Sequence, residues 1–206
     1  MASIPLDLDG YTDLPPGLIA NVVTYLEMRE PPAGRRATRT DLRVRRVETP
    51  DTDAYRALYR RIGEPWLWFS RAVMPEEELA ALLADPRTET RYLEDAAGPI
   101  GLSEIHLGER EVEIAMFGVV PEAAGRGAAA VLMDETLAAA WRPGVRRVWL
   151  HTCHFDSPAA VPFYRKSGFR PFKFAIEVSP DPRLTGHLPR AAGPHVPVID
   201  PAETEG

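Results

Sequence analysis

The stretch "GVVPEAAGRGAAAVLMDE", residues 118–135, constrains the fold more than any other part of the sequence. A strand-like apolar run stops at Pro121 and passes through Gly125 and Gly127. It then enters an alanine-rich segment that predicts a helix over 126–141. A strand, a bare turn and a helix in direct succession indicate a fold in which helices pack against a sheet.

The bare turn predicts that a ligand approaches the main chain closely. The first amides of a helix have no intrahelical acceptor and lie at the positive end of the helix dipole, so they attract anions. Gly125 and Gly127 leave room for a phosphate group, Ala129 keeps the first turn thin, and Arg126 can add a positive charge.

Three other interpretations of this turn compete with each other. The glycines can serve turn geometry alone. The spacing from Gly125 to Ala130 also matches a dinucleotide-binding fingerprint, but that fold needs an acid about 20 residues later. The next strand, "VRRVWLHT", ends without one, and "EAA" separates the first strand from Gly125. A nucleoside-triphosphate loop needs Gly-Lys-Ser/Thr, which is absent here.

The pattern along the rest of the chain predicts an α+β fold with a mixed, mostly antiparallel central sheet flanked by helices. A helix capped by Thr49 or Asp51, an acid-rich helix after Pro75 and a hairpin through "AAG" precede the glycine turn. A strand, a short helix over 158–167 and a last strand follow it. We expect an N-terminal extension over 1–41, holding a strand in "LIANVVTYLEM", a main domain over 42–178, and a proline-rich tail over 179–206 without much regular structure, lying along the surface or mobile.

Composition limits the class of protein. The 206 residues carry a formal net charge of −6, which argues against nucleic-acid or anionic-membrane partners. Cys153 is the single cysteine, so neither an intrachain disulfide nor a cysteine-based zinc site can form. The N-terminus is acidic rather than signal-like, and no apolar run approaches the roughly 20 residues of a membrane span. We therefore expect a cytoplasmic protein.

Two linked motifs carry a resemblance to a known family. "VVPEAAGRGAA" resembles the acyl-CoA loop of the GNAT N-acetyltransferase superfamily, with Ala124 where that family usually has arginine or glutamine. "DSPAAVPFYRKSGF" is similar to the family's Asn-x-x-Ala-x-x-x-Tyr-x-x-x-Gly-Phe, with Ser157 in the asparagine place and Tyr164 in register. Ser157 is also a candidate N-cap, and Gly168 a candidate helix stop.

The resemblance implies acetyl transfer from acetyl-CoA, without a metal, to an amine of a small molecule or peptide. It implies that the strands "EIAMFGVV" and "VRRVWLHT" splay apart, and that unpaired edge groups near Phe117 to Val119 bind the pantetheine amides. A backbone N–H of the 116–120 strand would stabilise the oxyanion. The implied acyl-CoA contacts are Phe117, Gly118, Val119, Ala124, Gly125, Arg126, Gly127, Ala128, Ala129, Ser157 and Tyr164.

The resemblance also points to catalytic side chains. Tyr164 matches the family's usual general acid, which protonates the departing thiolate. A base must take a proton from an ammonium substrate, and we consider Glu113 first, Glu104 second and His154 third. Cys153 lies between histidines, but neighbours on a strand point to opposite faces, so we expect a structural thiol. His151, His154 and Asp156 have no spacing specific for a metal.

The acceptor and the partners are the least constrained features. Trp66, Trp68 and Phe69 form either an aromatic acceptor wall or core packing. We expect the arginine-rich stretch 35–46 to be solvated surface. The expected partners are acetyl-CoA and an amine, with no nucleic acid and no membrane, and a homodimer is left open. The alternatives are a non-catalytic acyl-CoA-binding or sensor domain and, less favoured because of the acidic charge, an arginine-rich RNA-binding module.

Overall fold

The computed structural model describes residues 4–33, 37 and 39–204. Its strands are β1 (Leu18–Met28), β2 (Arg43–Val47), β3 (Thr88–Asp95), β4 (Gly98–Leu107), β5 (Glu111–Val119), β6 (Arg147–Cys153) and β7 (Arg170–Pro180). Its helices are α1 (Thr52–Gly63), α2 (Ser70–Val73), α3 (Glu76–Ala84), α4 (Ala128–Ala140), α5 (Ala160–Lys166) and α6 (Pro201–Thr204). The predicted fold class, a mixed sheet flanked by helices, is confirmed.

The seven strands form one sheet in the order β2-β3-β4-β5-β6-β1-β7. All neighbours are antiparallel except β5 and β6, which are parallel. The predicted N-terminal strand therefore exists, and it lies between β6 and β7, with Val23 paired to both Cys153 and Ala175. The division of the chain at residue 42 stays a prediction, although the strand before it completes the sheet.

The two faces of the sheet carry different helices. Ser103 and Glu104 are neighbours on β4, so their side chains point to opposite faces. Thr136 of α4 donates a hydrogen bond to Ser103 Oγ at 2.8 Å, and Tyr55 of α1 donates one to Glu104 at 2.5 Å. Helix α4 thus covers one face and α1 the other, with buried apolar residues of each helix in the core.

Helix ends follow the sequence signals in part. Asp51 caps α1, because its side chain accepts a hydrogen bond from the Ala54 amide, as expected. Helix α4 begins and ends slightly inside the expected 126–141 range, and Trp141 at its end is only half-buried. Ser157 does not cap α5: Ala159 holds that position without a side-chain cap. Gly168 follows the same helix in the left-handed conformation, which confirms it as the stop.

The proline-rich tail has little regular structure but is packed against the domain. Asp181 and Arg183 form an ion pair at 2.6 Å in which both side chains are 1% exposed. Arg183 also donates to the carbonyls of Ala192, Val196 and Pro197. Leu188 and Ala192 are buried with Leu67 in a small apolar cluster. These contacts anchor the tail beside the loop that follows α1.

Candidate active site

A cleft opens where β5 and β6 part. Their pairing ends at Ile114 and Leu150. A bulge at Ala115 shifts the register of β5 against β4 at the same level, because Ile105 faces Ile114 while Glu104 faces Met116. The splay expected between these strands is therefore present within the residues that the structure describes.

The open edge of β5 presents backbone amides to this cleft. The Val120 amide donates to the Ile100 carbonyl on the β4 side. Because successive residues of a strand direct their backbone groups to alternate sides, Phe117 and Val119 direct theirs toward β6. Among the described residues the pairing of β5 with β6 ends at Ile114, so these groups have no strand partner and can bond a ligand that carries amides of its own.

A cavity of about 580 Å³ extends from this cleft. Most of the predicted acyl-CoA contacts line it: Phe117, Gly118, Val119, Ala124, Gly125, Ala129, Ser157 and Tyr164. Arg126, Gly127 and Ala128 lie outside the lining, as do Glu104 and Glu113. Its volume falls within the roughly 300–1,000 Å³ of ordinary small-molecule sites.

The glycine turn has the geometry that an anion needs. Gly125 and Gly127 have φ values of 71° and 81°, and a β-carbon added to either would meet nothing within 4 Å. Gly127 is the N-cap of α4, and its carbonyl already accepts from Ala130 and Val131. In the described part of the chain, the amides of Gly127, Ala128 and Ala129 donate no backbone hydrogen bond, so they are open to a ligand.

The side chains of Ala128 and Arg126 in this turn do not line the cavity. Ala128 is 3% exposed and packs into the core, so only its backbone faces the turn. The Arg126 side chain is exposed, and its carbonyl accepts a hydrogen bond from Arg39 Nη1 at 2.5 Å. Arg39 thus brings a second guanidinium to the turn, which the local sequence motif did not reveal because it lies far upstream.

Gly118 has a packing reason to be glycine. A β-carbon at this position would lie 2.5 Å from Cγ2 of Ile62 and 3.0 Å from Cη2 of Trp68. The bare backbone of Gly118 therefore lets α1 and the Trp68 indole approach the sheet, in addition to lining the cavity.

Tyr164 lies on α5 beside the cleft. Its ring contacts Phe117, Phe163 and Phe169 at centroid distances of 6.2, 5.6 and 6.2 Å. Burial, and then the negative charge of Asp156, raise the pKa of its phenol above the ordinary value. The hydroxyl therefore stays protonated at neutral pH and can donate a proton to an anion in the cleft.

Glu104 is poorly placed to act as a base. Its carboxylate is fully buried and accepts from Tyr55, from Arg71 at 2.6 Å, and from His106 at 2.8 Å. Burial opposes ionisation, but the hydrogen bonds and the Arg71 charge prevail and hold the pKa of Glu104 at about 2. A carboxylate so occupied, and outside the cavity lining, has no free lone pair directed at a substrate.

Glu113 lies between two histidines. Its carboxylate oxygens are 3.7 Å from Nδ1 of His106 and 3.8 Å from Nδ1 of His151. Hydrogen bonds to Glu104 and then Glu113 raise the pKa of His106 to about 9, so His106 is charged at neutral pH. Glu113 does not line the cavity, whereas His151 does. Sequence reasoning named Glu113 but did not connect it to His151, because their contact joins two strands.

Neither Cys153 nor His154 has the geometry of a reactive group. Burial, followed by the charge of Asp156, raises the pKa of the Cys153 thiol to about 11, so the thiolate is scarce. Nδ1 of His154 accepts the Val22 amide at 2.9 Å. Within the described ranges, no group of three histidine, cysteine or carboxylate side chains is arranged to hold a metal.

The far wall of the cavity is aromatic. Trp66, Trp68 and Phe69 all line it. The Trp68 indole N–H donates to Oδ1 of Asp156 at 2.7 Å, and Oδ2 of Asp156 accepts from Thr152 Oγ1 and the Cys153 amide. The sequence pattern gave no role to Asp156 in this wall, because its partners come from both sides of the cavity.

Comparisons with known proteins agree with this geometry. The model of the acetyltransferase (GNAT) family matches residues 45–169. An uncharacterized N-acetyltransferase of Mycobacterium tuberculosis and one of Mycobacterium bovis are each 33% identical over 103 residues. Each alignment covers 50% of this chain and 65% of the relative, slightly less than two thirds of the relative's length.

Solved structures share the fold. A functionally unknown conserved protein from Staphylococcus epidermidis aligns with a TM-score of 0.59 at 18% identity, over 80% of this chain and 64% of that one. A GCN5-related N-acetyltransferase from Sphaerobacter thermophilus aligns with a TM-score of 0.55 at 17% identity, over 78% of this chain and 51% of that one. Among the described residues, no helix is long and apolar enough to span a membrane.

Proposed function

The chain belongs to the acetyltransferase (GNAT) family, and on that premise we propose that it moves an acetyl group from acetyl-CoA to an amine. The acceptor is an amine of a small molecule or peptide, which attacks the thioester directly in a ternary complex. One observation carries the proposal: Gly125 of the glycine turn and Tyr164 line a single cavity at the cleft between β5 and β6.

The acyl-CoA end is assigned to the main chain. The amides of Phe117 and Val119 would bind pantetheine along the open edge of β5, and one of them would stabilise the oxyanion. The amides at the start of α4 would hold the pyrophosphate, with Gly125 and Gly127 leaving room for it. Arg126, whose side chain is exposed, would add positive charge near the pyrophosphate, and Ser157 lines the cavity.

Proton transfer is assigned to three side chains. Tyr164 is the general acid, which gives its proton to the departing sulfur, and its raised pKa keeps that proton in place beforehand. Glu113 remains the base, and it reaches the cavity through His151, which lies 3.8 Å from it. His151 accepts the proton from the acceptor ammonium on one ring nitrogen and passes the proton of its other ring nitrogen, Nδ1, to Glu113.

Direct attack is favoured over a covalent enzyme intermediate. A covalent intermediate would need a nucleophile such as Cys153, which lines the cavity. The raised pKa of the Cys153 thiol keeps it protonated and therefore a poor nucleophile. Positioning both substrates in one cavity lowers the entropic barrier without that step. We keep a cytoplasmic location as a prediction and leave open whether the protein forms a homodimer.

Two measurements together test the function. Acetyl-CoA should raise the melting temperature of the purified protein, because a ligand that binds the native state stabilises it. Incubation with acetyl-CoA and a mixed amine library should yield N-acetylated products detectable by mass spectrometry. Stabilisation without any product would support a non-catalytic acyl-CoA sensor. The absence of both stabilisation and product would contradict acyl-CoA use altogether.

A further inference from the structure

Two polar residues meet in the cavity wall outside the region that matches the family. Asn21 lies on β1 and Glu177 on β7, and the two are paired in the sheet register. Nδ2 of Asn21 donates to Oε2 of Glu177 at 2.9 Å, and both residues line the cavity. The family match covers residues 45–169, so both members of this pair lie outside it.

The side-chain oxygen of Asn21 has no hydrogen-bond donor among the described residues. Asn21 is 2% exposed, and its Oδ1 accepts no hydrogen bond from any residue in the described parts of the chain. A buried polar atom without a partner destabilises the protein, and such atoms are rare. Because Nδ2 is held by Glu177, the remaining amide oxygen of Asn21 and the Glu177 carboxylate lie side by side in the cavity wall. Both groups call for a hydrogen-bond donor, and the carboxylate favours a positively charged one.

The charge of the cavity lining agrees with this requirement. Its ionised side chains are Asp156 and Glu177, and no lysine or arginine lines it within the described ranges. Asp156 already accepts from Trp68, Thr152 and the Cys153 amide, whereas Glu177 accepts only from Asn21 among the described hydrogen bonds. The lysine of β7, Lys173, holds its ammonium 4.0 Å from the centre of the Tyr25 ring. Glu177 is therefore the carboxylate available to a ligand.

The position of Glu177 separates it from the reacting nitrogen. Acetyl transfer is assigned to the cleft between β5 and β6, while Glu177 lies on β7, two strands beyond β6. Two strand spacings are about 10 Å, which is too far for Glu177 to touch the atom under attack. That atom must be a neutral amine when it attacks, so a carboxylate at this distance serves a different nitrogen, one that stays charged.

We propose that Asn21 and Glu177 form a subsite for a second cationic group of the acceptor. The acceptor class is a diamine or polyamine, whose apolar spacer crosses the cavity past Phe69 and Phe155. One ammonium donates to Oδ1 of Asn21 and to Glu177, and this contact places the other nitrogen at the cleft. The inference rests on the proposed acetyl transfer and specifies its substrate.

A length series of amines tests the subsite. Transfer from acetyl-CoA is measured for linear α,ω-diamines from 1,4-diaminobutane to 1,8-diaminooctane and for n-alkylamines of the same chain lengths. The wild type should prefer a diamine of one length, with kcat/KM about three- to tenfold above its monoamine counterpart, since exposed Glu177 is partly screened by water. Glu177→Gln keeps an oxygen for Asn21 Nδ2 but removes the charge, and it should abolish that preference through KM.

Two comparisons keep the result interpretable. Glu109→Gln removes the same charge from the exposed turn between β4 and β5, outside the cavity, and should leave the preference intact. Asn21→Ser, checked by its melting temperature, should also lower the preference because Oδ1 is lost. Equal rates for diamines and monoamines in the wild type would overturn the subsite while leaving acetyl transfer standing. No transfer to any amine would instead overturn the proposed function.

Discussion

The indole N–H of Trp68 donates to Oδ1 of Asp156 across 2.7 Å, joining the loop after α1 to the end of β6. The other oxygen of Asp156 is held by Thr152 and by the Cys153 amide, so the carboxylate is fixed to the strand. This bond sets the aromatic wall of the cavity against the strand that forms one side of the cleft. The acceptor end of the site is therefore tied to the acyl end.

Trp68→Phe should weaken acceptor binding more than acyl-CoA binding. The variant leaves Oδ1 of Asp156 without its donor, and a hydrogen bond to a charged group contributes about 1.5–3 kcal/mol. We expect acceptor KM to rise roughly threefold or more, with acetyl-CoA KM within about twofold of wild type. Trp141→Phe is the matched control, because the Trp141 indole nitrogen has no partner in the described structure and lies outside the cavity lining. Equal changes in both KM values for Trp68→Phe would refute the link.

Tyr164→Phe should lower kcat by about 100-fold with little effect on acetyl-CoA affinity, because the hydroxyl is assigned to proton donation alone. Single-turnover rates and calorimetric titration separate the two quantities. Tyr92→Phe removes another buried hydroxyl that lacks a partner in the described ranges and lies off the cavity, and it should leave kcat unchanged. Wild-type turnover in Tyr164→Phe would remove this residue from the mechanism.

Glu113→Gln should lower kcat more at neutral than at alkaline pH. The base is needed only to deprotonate an ammonium, and alkylammonium groups lose that proton unaided near a pKa of about 10. We expect a loss of about tenfold or more at pH 7 that shrinks toward pH 9, measured as a pH–rate profile. Glu111→Gln, two residues earlier on β5 and paired with Arg147, is the control. A pH-independent loss would mean that Glu113 supports the site without acting in proton transfer.

His106 should make stability fall as the solution becomes alkaline. Its pKa is raised to about 9, from an ordinary value near 6.5, by Glu104 and Glu113. A raised pKa means that the native state holds the proton more tightly than the unfolded state does. The contribution of protonated His106 to the free energy of unfolding is therefore complete below about pH 6.5 and disappears as pH passes about 9. Urea unfolding at several pH values should show this slope, and His106→Gln should flatten it. A His106→Gln variant with the wild-type slope would assign the effect to another group.

Local sequence patterns predicted much of this fold and a part of the site. The spacing of apolar residues and the turn at Gly125 and Gly127 located the helices and strands within a few residues. The position of β1 between β6 and β7 was not predictable, because strand order depends on contacts between distant segments. The pairing of Asn21 with Glu177 was not predictable for the same reason, because most of the chain separates the two residues in sequence. Ser157 was wrong as a cap, because its motif position does not determine where α5 begins.

Whether both substrates bind before the thiol is released tests the central claim most directly. Initial rates of thiol release are measured while acetyl-CoA and an accepted amine are varied together, for the wild type and for Cys153→Ala. We predict double-reciprocal lines that intersect and release that depends on both substrates. The kcat of Cys153→Ala should lie within about threefold of the wild-type value, because direct attack needs no enzyme nucleophile. Parallel lines, an acetylated enzyme in the absence of amine, or no release with any amine would contradict it.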